Sequence, residues 1–548
     1  MKILGVYNPS TRYGKVLKYG GACIISDNEI LVSISEERIT RKKYDYGYKG
    51  SIEYCLDFAG LKYDNIDLVV TSSCCEYVAQ IDSELTTKFK RVITCPHHLS
   101  HAYSAYFCSD FENAIIVVLD GGGNTLEEAE TKEWWKHKRE QVSIYSGING
   151  KIKLIERYFL NPYDTGFGEA FRYFTKYLGF GSSYNAGKVM ALSSYVKSNE
   201  FDFKNIFYQK DNIISPFFNN PLEPIDTLKN YLKQIGLNCN SRCDLDHIEL
   251  SHKYIAFLVQ WSYQLSLRKI VEKLILRTGI KNVCISGGLG LNCIANSYIL
   301  RECNLDNIFV QPASSDTGQC LGNAIFGHTK TTNDTSKIIF SGVYLGKSYD
   351  SSILEFLTNY ADQYGYKITE LSSYNLIASY IAEGNIIGWF QGRSEFGPRA
   401  LGNRSILADP RHVHIRTFIN SKIKVREDFM PFAASVLSEH CDEYFIDKVC
   451  EYMTLAPRVN QKKINEIPAV VHIDGTCRAQ KVCRNTNMKF YKLLQEFYSI
   501  TGVPLVLNTS LNGPDDPICE TPEDALNFFR TYPLDYLVIE NHLICKTN

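Results

Sequence analysis

The sequence predicts an α/β protein of two domains, and three observations carry that reading. Short β-rich runs bounded by turn residues alternate with segments of helical apolar spacing along the chain. Two of those runs end in glycines, at 121–123 and 287–290, as expected of two similar half-domains facing one cleft. The 548 residues, 45% hydrophobic and 22% charged, are ordinary for globular protein and enough for two or more cores.

The opening "KILGVYN", then "GGACIIS", the turn "DNE" and "ILVSISEER" read as an antiparallel meander. "SIEYCLDFAGL" has helical spacing, "IDLVVTSS" reads as a buried strand, and "NAIIVVLDGGGN" as a strand running into glycines. "YIAFLVQWSYQLSLRKIVEKLILRTG" carries apolar residues at i, i+3, i+4 and i+7 and stops at Gly279. It feeds into "NVCISGGLGLNCIANSYIL", a strand broken at Gly287 and Gly288 before a second helix. "KTTNDTSKI", residues 330–338, is the most linker-like stretch, and a new α/β pattern follows from "YKITELSS"; the domains are therefore placed at 1–360 and 361–548.

Composition narrows the partners. A formal net charge of -1 gives no global field toward nucleic acid or an anionic membrane. No apolar run nears the roughly 20 residues of a membrane-spanning helix. The start meets Asn8 and Pro9 too soon for a signal peptide, so a cytoplasmic location is expected. Eighteen scattered cysteines read as reduced thiols. Cys239, Cys243 and His247 loosely resemble zinc spacing, but without an evident fourth ligand they read as polar loop.

In "CPHHLSHAYSAYF", residues 95–107, His97 and His101 lie four apart, on one face of a helix, where both could hold one cation. The plain alternative is a pair of hydrogen-bonded core histidines. Asp120 changes the balance, because a buried strand-end carboxylate costs several kcal/mol unless something positive compensates it. Asp316, in "VQPASSDTGQCLGNA", ends a similar run. Two imidazoles and two carboxylates suit iron, manganese or zinc. The turns at 121–123 and at Gly287 and Gly288 would let backbone amides approach a phosphate, though such glycines are more often plain tight turns.

From Gln391 to Glu427 the chain holds eight Lys or Arg against three acids, interleaved with Gly, Pro and apolar residues rather than solvated ones. That pattern points guanidinium groups into a pocket, with phosphate as the natural ligand. In "KIKVRE", Lys424 and Arg426 would share one side of a strand. Arg478 in "HIDGTCRAQKV" and Asn508 and Ser510 in "PLVLNTSLNG" extend the set, with turn chemistry as the plain alternative for the last two.

With these residues assembled, the chain resembles the NodU/CmcH family of carbamoyltransferases. The ordered blocks "SEERITRKKYD", "HHLSHAYSAY", "LDGGGN", "GKVMALSSY", "SGGLGLNC", "VQPASSDTGQCLG", "GWFQGRSEFGPRALGNRSILADPR", "PAVVHIDGTCRAQKV" and "GVPLVLNTSLN" carry the likeness nearly end to end. The resemblance implies an N-terminal actin-like ATPase domain of duplicated ribonuclease-H-like halves, holding metal and acceptor. A C-terminal YrdC-like domain would make carbamoyl adenylate from ATP and carbamoyl phosphate. By motif, His97, His101 and Asp316 match the family's metal ligands and Asp120 an acidic residue at metal and acceptor. His97, Asp120 and Asp316 are thereby the expected catalytic set, with Asp120 taking the hydroxyl proton. Lys424, Arg426, Asn508 and Ser510 match the "KxR" and Asn/Ser signatures. Arg399, Asn403, Arg404 and Arg478, together with Gly287 and Gly288, are the remaining expected nucleotide-binding positions. The implied cofactors are ATP with Mg2+ and a transition metal, Fe2+ ahead of Mn2+ or Zn2+.

Two departures bear on the acceptor: "YNPSTRYGKVLKYGG" lacks the family's usual His, and "NTLEEAETKEWWKHKRE" follows Gly123 as a charged aromatic insert. The expected acceptor is a hydroxyl on a small metabolite, such as a sugar, an antibiotic or a hydroxymethyl nucleobase; nucleic acid is not favoured, and a monomer or homodimer is expected. Competing readings are carbamoylation of a thiol or a tRNA-type acceptor, and a non-catalytic nucleotide-binding module. The thiol-modifying family adds an acylphosphatase module and paired zinc motifs that this chain lacks.

Overall fold

A computed structural model describes residues 1–7, 19–73, 81–123, 138–160, 165–182, 184–197, 208–210, 213–215, 224–243, 247–332, 338–349 and 353–546. The altered run after Tyr7 and the insert after Gly123 fall largely outside these residues. The chain forms two compact units, Met1–Glu29 with Leu61–Ile339, and Ile30–Gly60 with Phe340–Asn548. The boundary thus falls at the end of the polar stretch 330–338 rather than near 361, and the second unit also takes in a segment from the N-terminal part of the chain.

The first unit holds two mixed sheets. Strands β1 (Lys2–Tyr7), β2 (Gly21–Ser26), β3 (Leu68–Ser73) and β4 (Val92–Pro96) run side by side as β2-β1-β3-β4. The β1–β2 pair is antiparallel, with Val6 opposite Ala22, and β1–β3 and β3–β4 are parallel. Helix α1 (His97–Phe107) follows β4 directly. The second sheet comprises β5 (Asn113–Leu119), β6 (Arg139–Ile148), β7 (Lys151–Leu160), β8 (Asn282–Ser286) and β9 (Asn307–Val310), in the order β9-β8-β5-β6-β7. Here β5–β6 is antiparallel while β5–β8 and β8–β9 are parallel. The core β6-β5-β8-β9 therefore repeats β2-β1-β3-β4 in order and sense.

The expected duplication is present, but the glycines do not mark its halves. The strands that end in glycine, β5 and β8, are neighbours in one sheet. Helix α2 (Leu250–Thr278) stops at Gly279 with φ 71°, the left-handed stop its sequence predicts. Helix α3 (Gln319–Thr332) packs on β1, β3 and α1, while α1 also packs on β5 and β8. Strands covered in this way read as near-continuous apolar runs, and every residue of "ILGVY" in β1 is buried. The two helices approach closely because Gly322 faces α1: a Cβ there would lie 2.0 Å from the Ser100 carbonyl oxygen.

The second unit is built on an eight-stranded mixed sheet. Its strands run in the order Tyr366–Glu370, His542–Lys546, Tyr536–Ile539, Ile387–Phe390, Arg404–Ala408, Leu505–Ser510, Ala433–Leu437 and Arg478–Val482. Trp389, Phe390, Phe490 and Phe497 are fully buried in its core. "SIEYCLDFAGL" forms the expected helix, Lys49–Phe58, in this unit.

"KIKVRE" is not a strand. Helix Val413–Phe418 widens into a π-helical turn over Ile419–Ile423, and the amides of Lys424 and Arg426 bond to the carbonyls of Ile419 and Asn420 at 2.8 and 3.0 Å. Val425 takes a left-handed φ of 42° between them, so Lys424 and Arg426 owe their directions to a turn, not to a pleat.

Candidate metal centre and cationic site

The metal-ligating candidates converge in the first unit. His97 and His101, in the first turns of α1, meet Asp120, just past β5, and Asp316, which opens the turn into α3. Asp316 is thus a helix-entry carboxylate six residues past the end of β9, not the strand-end residue expected. One ligand atom from each of the four lies within 4.8 Å of every other, and this is the one such group of His, Cys, Asp or Glu among the described residues. Cys239, Cys243 and His247 form none.

His97 Nε2 lies 3.2 Å from Asp120 Oδ2 and 3.5 Å from Asp316 Oδ1; His101 Nε2 lies 3.5 Å from Asp316 Oδ1. His101 is fully buried and its Nε2 has no hydrogen-bond partner, while its Nδ1 sits 3.2 Å from Ser286 Oγ. An orphaned buried ring nitrogen facing two carboxylates is what a cation ligand looks like without its cation. The donor set of two imidazoles and two carboxylates fits a divalent transition metal.

Burial opposes the charge on Asp120, yet the hydrogen bond from His97 and the nearby imidazoles more than offset it and hold the carboxyl below its usual range. Asp316 is likewise lowered, against burial and the Asp120 charge, by the His101 and His97 imidazoles beside it.

The backbone fixes these groups. Gly288 N–H donates to Asp120 Oδ1 at 3.1 Å, so this amide serves a carboxylate rather than the phosphate expected there. Gly287 has φ 92°, and a Cβ on it would stand 2.1 Å from the Leu119 carbonyl oxygen, which makes the glycine a packing requirement of the β5–β8 pair. Two site residues escaped the sequence reading. Tyr7, the last residue of β1, donates its hydroxyl to Asp316 Oδ2 at 3.0 Å. Gln319, the first residue of α3, donates Nε2 to the His97 carbonyl at 3.1 Å. Nothing in the local sequence of either signals such contacts between distant positions.

In the second unit the expected nucleotide-binding residues divide into two kinds. Arg404 is fully buried and bonds the carbonyls of Gln391, Asn403 and Gly392 through its two Nη atoms at 2.8, 2.9 and 3.2 Å, over the Phe390 ring. Asn403 donates to the Arg393 carbonyl and accepts from Asn487, and Asn508 donates to the Ser435 hydroxyl at 2.8 Å and to the Ala400 carbonyl at 3.3 Å.

Lys424, Arg426 and Arg478 instead form a cationic group. Burial first, then the charges of Arg426 and Lys43, push the Lys424 ammonium well below its usual range. Burial and Arg478 bring Arg426 down to about 10. Lys424 Nζ donates to Ser510 O at 2.6 Å and to Asn512 O and Oδ1 at 2.9 and 2.8 Å. Arg426 Nε donates to Asn420 Oδ1 at 2.7 Å, and its guanidinium lies over the Phe432 ring. Arg399 is half-buried in the loop before Arg404. That loop is organised by Glu395, also missed from sequence, whose Oε1 accepts from the amides of Leu401, Asn403 and Arg404 at 2.7, 2.8 and 3.2 Å.

Two family models match this chain: carbamoyltransferase N-terminus over residues 13–82 and 75–325, and carbamoyltransferase C-terminus over 378–546. The chain belongs to the carbamoyltransferase family. Nodulation protein NolNO of Sinorhizobium fredii is 31% identical over 96% of this carbamoyltransferase and 79% of its own length. An uncharacterized protein of Synechocystis is 30% identical over 96% and 95%. A 3'-hydroxymethylcephem-O-carbamoyltransferase of Streptomyces clavuligerus is 32% identical over 46% and 47%. The NodU/CmcH resemblance and the expected enzyme class therefore stand. No helix among the described residues is long and apolar enough to cross a membrane.

Proposed function

We propose that this carbamoyltransferase loads a carbamoyl group in its second unit and transfers it to a hydroxyl in its first. The convergence of His97, His101, Asp120 and Asp316, with an orphaned imidazole nitrogen among them, carries the reading. The repeated strand order supports an actin-like, duplicated ribonuclease-H-like first unit, and we take the second as YrdC-like. ATP with Mg2+ and carbamoyl phosphate are the reactants. Water first cleaves carbamoyl phosphate to carbamate and inorganic phosphate. A carbamate oxygen then attacks the α-phosphorus of ATP, the bond from that phosphorus to the bridging oxygen breaks, pyrophosphate leaves and carbamoyl adenylate forms. From it AMP departs when the hydroxyl takes the carbamoyl group. Arg426, Arg478 and Arg399 meet the phosphate charge that develops on this path, and Lys424, held on the Ser510–Asn512 loop, adds its charge to theirs.

In the first unit, His97, His101, Asp120 and Asp316 would hold the divalent metal, Fe2+ by donor set and resemblance, ahead of Mn2+ or Zn2+. Bound there, such an ion supplies Lewis-acid polarisation of a carbonyl. Tyr7 and Gly288 fix the two carboxylates, and Asp120 is the group assigned to take the hydroxyl proton. The acceptor is a hydroxyl-bearing small metabolite, in line with relatives named for a hydroxymethylcephem and for nodulation.

The test uses two readouts on one set of proteins. His101→Ala and Asp316→Ala should release pyrophosphate from ATP and carbamoyl phosphate as the parent does, yet lose bound metal and fail to add a carbamoyl group to a hydroxylated metabolite pool, read by mass spectrometry. Metal retained in both variants would refute the ligand assignment.

A further inference from the structure

We propose that the basic run Arg38–Lys43 is part of the phosphate-handling site of the second unit: Arg38 and Arg41 fix the two loops that frame it, and Lys43 offers its ammonium to a phosphate group of a bound reactant. The inference rests on the two-step reading above and names residues outside the set the sequence identified.

The run belongs to the segment Ile30–Gly60, which packs within the second unit although it lies far from the rest of that unit in sequence. Each of its three named cations reaches one of the two loops. Arg38, 3% exposed, donates Nη2 to the carbonyls of Glu395 and Gly397 at 3.3 and 3.1 Å, in the loop that carries Arg399. Arg41 donates Nη1 to the Ile518 carbonyl and Nη2 to the Pro517 carbonyl, both at 2.8 Å, and pairs through Nε with Asp524 at 3.2 Å. Lys43 Nζ donates to the Pro514 carbonyl at 3.2 Å. The loop of Ser510 to Ile518 is thus gripped by Lys424 at its start and by Lys43 and Arg41 along its length.

Lys43 differs from Lys424 in what it has left to give. An ammonium carries three donors. Lys424 shares its three among four protein oxygens, Ser510 O and Oγ and Asn512 O and Oδ1. Lys43 meets one protein oxygen, and among the described residues no carboxylate pairs with it, with Lys424 or with Arg426. Its charge is nonetheless felt at Lys424, alongside that of Arg426. Cations gathered against one another repel, here offset only in part by the more distant charges of Asp516 and Glu427, and an anion relieves the repulsion. A phosphate of ATP and the phosphate of carbamoyl phosphate share that chemistry, and kinetics separates them.

Pyrophosphate release by the full-length protein is measured with ATP and carbamoyl phosphate varied in turn. Lys43→Met should raise the KM of one reactant about tenfold, the loss expected for one charge-assisted hydrogen bond, and change kcat much less. The reactant whose KM moves is the one Lys43 holds. Lys43→Arg should restore most of the affinity. Arg41→Lys, which loses the bidentate grip on two carbonyls, should raise KM while the thermal midpoint stays near that of the parent. Both KM values unchanged in Lys43→Met would overturn the assignment. Should the parent release no pyrophosphate, the loading reaction itself is wrong. Equilibrium dialysis of ATP and of inorganic phosphate then judges Lys43 separately, and equal retention of both probes by parent and Lys43→Met overturns it.

Discussion

His472 stands beside the cationic group, with Nδ1 3.1 Å from the Thr476 hydroxyl and Nε2 buried without a partner. Burial outweighs the pull of Asp474 and brings its imidazole down to about 4, against a usual 6.5. The unfolded chain therefore binds a proton between those values that the folded chain refuses. Stability from this residue is full above about 6.5 and is lost as pH falls toward about 4. The urea midpoint of the parent should fall more steeply over that window than that of His472→Gln, and parallel curves would show that the ring is free to charge. The histidine pair at 97 and 101 was legible because one helix face places both rings together. The state of His472 was not, since its environment comes from residues scattered along the chain.

The start of α3 joins separate elements into one buried polar network. Gln319 Nε2 donates to the His97 carbonyl, Ser100 Oγ donates to the Gln319 carbonyl at 3.0 Å, and Ser72 Oγ donates to Gln319 Oε1 at 2.6 Å. Asn323, one turn on, donates to the Val6 carbonyl at 2.9 Å, just before Tyr7. The helix thereby sets Asp316 against His97 and Tyr7 against Asp316. Gln319→Leu, similar in volume, should weaken metal binding about tenfold, as removal of groups that orient ligands does, with the fold retained. Chelator competition with Mn2+ alongside far-UV circular dichroism measures both, and an unchanged affinity would assign Gln319 to packing alone. Element types were legible wherever periodicity ran long, as in α2. "KIKVRE" misled because alternation over six residues fits a strand and a widened helical turn equally well, and hydrogen bonds back to Ile419 and Asn420 decided between them.

At the scale of the molecule, the polar stretch 330–338 stood out as linker-like, yet the boundary expected near 361 falls at its end, and no local signal shows that residues 30–60 fold with the second unit. Only contacts reveal it. Arg38 Nη1 lies 3.9 Å from Glu520 Oε2, both side chains almost wholly buried, and the Tyr54 hydroxyl donates to Glu520 Oε1. Burial and the Glu520 charge push the Tyr54 phenol far above its usual range, so it stays a donor. A polypeptide of residues 340–548 alone would leave Glu520 without either partner, a loss on the order of 3–5 kcal/mol, a large part of the roughly 5–15 kcal/mol that holds a domain folded. It should therefore lack a cooperative urea transition by near-UV circular dichroism. Fusing residues 30–60 to it through a flexible linker should restore one, and carrying Arg38→Ala in that fusion should abolish it again. A cooperative transition in the bare 340–548 polypeptide, at the midpoint of the fusion, would mean that the early segment decorates the second unit rather than completing it.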